Sequence, residues 1–154
     1  MGLGKQDQIS LALWAADCAE HMLPYFEEKY PDPEDDRPRK AIEAGRAWAR
    51  GEIPVSEARA AALVAHAAAR DAVRGPARAA ARSAGHAAAT AHVAGHAPHA
   101  ASYAVKAASF ASATASTDSA AATRERDWQY QRLPKRLRSI AFPARDGVAK
   151  NSPG

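Results

Sequence analysis

At 154 residues with a formal net charge of +4, the chain has the length of one ordinary domain, and alanine supplies about a quarter of it. Its one cysteine, Cys18, excludes an intramolecular disulfide, and Arg70, Asp71, Arg74, Arg78 and Arg82 interrupt the alanine-rich middle before any run nears the ~20 apolar residues of a membrane span. The N-terminus lacks a basic patch, apolar stretch and cleavage site in succession, so a cytoplasmic location with no membrane partner is expected. From residue 118 onward eight Lys/Arg face four Asp/Glu, while residues 1–117 hold thirteen of each sign. Charge is therefore segregated, with an acidic patch at 27–36 and a basic C-terminal end.

Apolar residues from Gln8 to Leu23 recur at helical spacing, with Asp7 placed to cap them. Pro24 either kinks this helix or opens a further turn through Tyr25 and Phe26, and Pro31 and Pro33 end it. Asp36 is placed to cap a second long helix with Pro38 in its first turn, running to Gly51. Ser56 begins a third, which Gly75-Pro76 terminates, and a fourth opens there and carries the histidine-rich stretch SAGHAAATAHVAGHAPHAA.

Around Gly95 to Pro98 that helix is expected to break, because Pro98 leaves the carbonyl of Ala94 without its usual donor; a fifth helix then runs from His99 to about Ala113. Asp118 or Thr117 is placed to cap a sixth, Ala120 to Tyr130, and Leu133-Pro134 separates it from a short amphipathic piece ending near Phe142. No stretch alternates like a strand. The expected fold is all-α, a compact alanine-rich bundle of about five to seven helices over residues 1–142, with 143–154 a disordered or frayed tail.

Four constellations bear on function. On a regular helix His92, His96 and His99 would lie within about 60° of one another and could chelate a divalent transition metal. No acidic residue lies between Asp71 and Asp118, however, so a carboxylate ligand would have to come from another helix; otherwise these imidazoles pack between helices. Asp17, Cys18 and His21 could complete such a site or supply a Cys-His nucleophile, against a reading in which Cys18 is a small core residue and Asp17 and Asp71 pair with arginines such as Arg46 or Arg70. Arg132, Lys135, Arg136 and Arg138 near Trp128 and Tyr130 combine cations with rings as nucleic-acid-binding proteins do, or form a solvated basic end with Trp128 anchored in the core. The acidic turn, with Glu34, Asp35 and Asp36 beside Arg37 and Arg39, lacks the calcium-loop pattern and is either a solvated turn or a surface for a basic partner.

Three stretches, ALWAADCAEHMLPYFEEKYPDPEDDRPRKAIEAGRAWARGE (Ala12 to Glu52), AAATAHVAGHAPHAASYAVKA (Ala87 to Ala107) and RDWQYQRLPKRLR (Arg126 to Arg138), together resemble bacterial immunity proteins of the immunity-five-like type, small helical proteins of polymorphic toxin systems. The resemblance covers about residues 8 to 140. It implies a cytoplasmic, non-catalytic protein without a cofactor that binds and blocks a cognate toxin, and it supplies no functional residues. On that reading Glu34, Asp35, Asp36, Arg37 and Arg39 are the candidate partner-binding residues, with exposed histidines as the alternative contact, and a second copy of the chain is a further candidate partner. The competing readings are a metal-binding protein or metal-dependent enzyme using His92, His96 and His99, and a nucleic-acid-binding module using the basic end.

Overall fold

A computed structural model describes residues 3–28, 34–72, 74–112 and 119–142. Helix α1 (Lys5–Met22) is followed directly by the single turn α2 (Pro24–Glu27), then by α3 (Arg37–Ala49), α4 (Val55–Asp71), α5 (Pro76–Ala89), α6 (His96–Ala111) and α7 (Ala120–Arg132). A 3-10 turn (Lys135–Leu137) and the short α8 (Arg138–Ala141) complete the described chain, which contains no strand. The architecture is an all-α bundle, as the alanine periodicity predicts.

Helix α5 is the one the others pack around, touching α1, α2, α3, α4 and α6. Its sequence explains the position: Ala77, Ala79, Ala80, Ala81, Ser83, Ala84, Gly85, Ala87 and Ala88 are all buried, and methyl-sized side chains on nearly every face let neighbours approach closely. Gly45 of α3 marks a close approach to the α5 backbone, where an added Cβ would sit 3.4 Å from the Ala87 carbonyl oxygen. The larger apolar side chains Leu11, Leu23, Phe26, Ile42, Leu133 and Leu137 are fully buried and fill the rest of the core.

Polar side chains pin the ends of these helices. The Gln8 amide donates to the carbonyls of Thr90 and Ala91, satisfying backbone acceptors that the end of α5 leaves without helical partners. Trp14 donates from Nε1 to the Gln129 carbonyl at 2.8 Å, tying α1 to α7, and Ser83 Oγ donates to Ala100 O at 2.7 Å, tying α5 to α6.

Several boundaries differ from the sequence reading. The first helix starts at Lys5 with Gly4 as N-cap, so Asp7 lies in the first turn, where its charge suits the helix dipole. Pro24 opens a new turn. Asp36 and Ser56 supply no side-chain cap: Asp36 occupies the N-cap but its carboxylate accepts no capping hydrogen bond, and α4 begins at Val55 behind Pro54. The break in the histidine stretch comes earlier than Gly95, because α5 ends at Ala89 and the next helix starts at His96. There Thr90 Oγ1 folds back on His86 O, and Pro98 falls in the first turn of α6, where its missing N–H costs nothing. Ser119 caps α7 by accepting from Ala122 N. Thr117, Asp118, Asp32 and the tail 143–154 lie outside the described residues.

Candidate functional site

The acidic turn is held by internal pairs. Asp35 accepts from the Arg37 backbone N–H at 3.2 Å and from its guanidinium at 2.9 and 2.7 Å, and Arg37 Nη2 also donates to Asp71 at 3.0 Å. The Asp35 side chain is only 5% exposed, and Arg37 holds its carboxyl below the usual carboxylate range. Arg39 clasps Glu27 through two bonds, and Lys40 pairs with Asp36 at 3.4 Å. These contacts join the end of α2, the start of α3 and the end of α4. Glu34 and Asp36 lie exposed on the turn.

Asp17 pairs with Arg46 at 2.8 Å, as its alanine-rich setting predicts, and Arg46 also holds Glu20. Asp71, by contrast, meets Arg37.

The histidine stretch forms a cluster that sequence reading misses in its membership. His66 of α4 and His86 of α5 meet edge to face with ring centroids 4.9 Å apart, and His86 lies 5.3 Å from each of His96, His99 and Tyr103. His96 and His99 are 6.2 Å apart on α6, whereas His92 is exposed in the turn between the helices. Arg82 donates to His66 Nδ1 at 3.0 Å, and since a guanidinium only donates, His66 is neutral with its proton on Nε2. His86 and His96 share one hydrogen bond at 3.1 Å between their Nδ1 atoms, so one of these donates and the other accepts. Burial, then Arg82, Arg70 and His96, holds His66 down at about 4; burial, then the surrounding imidazoles and Arg82, holds His86 down at about 3. His66 and His86, the two rings at the centre of the seam, are thus neutral at pH 7. Among the described residues no group of three or more His, Cys, Asp or Glu is placed to hold a metal ion.

A third cluster lies between α1 and α7. His21 Nδ1 is 2.8 Å from Glu125 Oε1, Gln129 Nε2 donates to Glu125 Oε2 at 3.1 Å, and Trp128 stacks on the His21 ring at 3.8 Å. Arg132 covers the Trp128 ring, its guanidinium carbon 4.5 Å from the centroid. Glu125 is 4% exposed, and burial raises it to about 7, while burial, then the Arg132 charge, lowers His21. Cys18 is wholly buried and its thiol is pushed up by burial, then by Glu125 and Asp17, which makes it inert as a nucleophile. His21 and Cys18 thus face α7, and the histidine stretch gathers elsewhere.

Residues 1–136 match the family model described as Imm-5 like putative immunity protein. The chain belongs to the Imm-5 like family. No curated protein and no solved structure matches it. The family match runs from α1 through the whole of α7, so all three clusters of this Imm-5 like chain lie inside it. Among the described residues no helix is long and apolar enough to cross a membrane.

The basic end is partly engaged. Arg136 pairs with Asp7 at 2.8 Å, Arg138 donates to Leu133 O and covers the Tyr130 ring, and Trp128 packs on the core through His21. Such contacts fix the C-terminal segment of this Imm-5 like protein against α1 and α7. The residues sequence reading misses are His66, His86, Arg82 and Tyr103; the absence of acids between Asp71 and Asp118 marks the stretch that holds the last three, and nothing in the local sequence marks His66.

Proposed function

We propose that the protein is a non-catalytic immunity protein, acting in the cytoplasm, that neutralises a cognate bacterial toxin by direct contact. The observation that carries this reading is family membership over residues 1–136. The chemistry of the clusters supports it: the one thiol is sealed in the core, and the imidazoles of the α4–α5–α6 seam bond to one another and to Arg82. The turn that carries Asp35, Arg37 and Arg39 meets its own charge requirements within the fold, so the contact surface is better sought where charge is not compensated.

Co-expression with the toxin encoded beside its gene tests the proposal. The expected result is survival of cells that the toxin alone kills, and co-elution of the two proteins. Soluble expression without protection would defeat it.

A further inference from the structure

Residues 72–117 carry four Lys/Arg and neither Asp nor Glu, and the fold sets the two helices they form, α5 and α6, against each other. Along one side of that seam Arg74, Arg78 and Arg82 face Tyr103, Lys106 and Phe110 across a cleft of about 330 Å³. Among the described residues none of these four cations has a carboxylate partner, whereas Arg37, Arg39, Arg46, Arg50 and Arg136 each have one. Arg78 donates to the carbonyls of Ala69 and Ala72 at the end of α4, and Arg82 donates to His66. Both are thereby fixed in place. Arg74 and Lys106 are exposed, Lys106 lying 4.5 Å over the Tyr103 ring, and Phe110 is 47% exposed although apolar.

Four cations with no carboxylate partner among the described residues crowd one cleft and repel each other, and an exposed phenyl ring beside them leaves apolar area in water. An acidic, ring-bearing occupant reverses both costs. We propose that this α5–α6 cleft is the contact surface for an acidic segment of the partner protein, whose carboxylates meet Arg74 and Lys106 and whose aromatic side chain packs on Phe110. The inference rests on the toxin-binding reading for the identity of the partner, and on the cleft itself for the partner's chemistry. Nucleic acid fits less well. Arg78 and Arg82 already serve carbonyls and an imidazole, which leaves two exposed cations where a phosphate-binding protein commonly makes roughly six to ten contacts. A cleft of this size with ring walls suits a few inserted side chains.

The test uses the full chain and three fluorescent probes: a twelve-residue peptide alternating Glu and Phe, a Glu-Ser peptide of equal charge, and a twelve-nucleotide single-stranded DNA. The Glu-Phe peptide should bind at least about tenfold more tightly than the Glu-Ser peptide, and binding should weaken at least about tenfold in R74E/K106E and severalfold in F110A. The neutral pair R74Q/K106Q, checked by circular dichroism, guards against loss of folding in the charge reversal. Failure of the Glu-Phe peptide to bind at low salt, equal binding by wild type and both double variants, or tighter binding of the DNA would each overturn the proposal. In the co-expression assay, protection by wild type and equally by R74E/K106E would reject the cleft while leaving the immunity reading intact. Absence of protection by wild type would reject the immunity reading, and the peptide titration would still decide the cleft.

Discussion

Replacing His86 by Gln should flatten the acid sensitivity of this fold. In the unfolded chain a histidine titrates near 6.5, whereas in the folded seam His66 is held at about 4 and His86 at about 3. A folded value below the unfolded one means that stability is fully present above about pH 6.5 and is lost as pH falls toward the folded values. At pH 5 the difference amounts to roughly 1.5 pH units of proton binding, or about 2 kcal/mol for each fully buried imidazole. Both rings are only half buried, so solvent screening reduces this to about 1 kcal/mol each. Glu125 acts in the opposite direction: its folded value of about 7 lies above the unfolded one, so its contribution grows as pH falls. The prediction is therefore placed on a difference that cancels Glu125. Between pH 7.5 and 5.0, urea denaturation should show wild type losing about 1 kcal/mol more than H86Q and about 2 kcal/mol more than H66Q/H86Q. Parallel losses within ~0.3 kcal/mol would mean that the imidazoles are solvated in the folded state, and the reasoning would fail.

Gly85→Ala should destabilise the protein by about 1 to 2 kcal/mol, since the new Cβ would come within 2.7 Å of the His66 ring and overpacking outweighs the gain in helix propensity; a thermal melt that rises would show the ring free to move aside. Trp14→Phe leaves the Gln129 carbonyl without its indole donor in a buried setting and should cost about 1 to 3 kcal/mol by chemical denaturation, an unchanged midpoint counting against that bond. Arg37→Ala should cost about 1 kcal/mol at pH 7, and because Arg37 lowers the Asp35 pKa, the gap to wild type should close as pH falls below the ordinary carboxylate range. The exposed Arg39–Glu27 pair supplies the contrast: Arg39→Ala should stay within ~0.5 kcal/mol of wild type, and a larger loss would mark the turn as more cooperative than its geometry suggests.

Local chemistry made much of the fold readable. Gly51 and Gly75 adopt positive φ of 76° and 108° at the chain reversals where glycine was expected, and the new turn at Pro24 follows from its missing N–H. The early end of α5 was not readable, because the carbonyls of Thr90 and Ala91 that it frees are satisfied by donation from the amide of Gln8, distant in sequence. Likewise, helical phase alone grouped His92 with His96 and His99, while the ring that completes the cluster, His66, arrives from another helix. The pairing of Asp17 with Arg46 could be anticipated from alanine-rich surroundings; that Asp71 would find Arg37 required knowing that α3 begins beside the end of α4. For the cleft, the decisive clue was an absence of acids over two consecutive helices, which acquires meaning only once those helices are neighbours.

A core whose central helix is lined with methyl groups inverts the usual hierarchy of damage. Trimming a buried alanine removes a single carbon, so the familiar injury of an emptied interior is scarcely available along α5. Growth is what this interior cannot absorb: a valine or leucine at Ala80, Ala84 or Ala87, each wholly enclosed, would wedge neighbouring backbones apart. Sequence drift in such a protein is therefore confined to its periphery, the region where a change of partner would have to be accommodated.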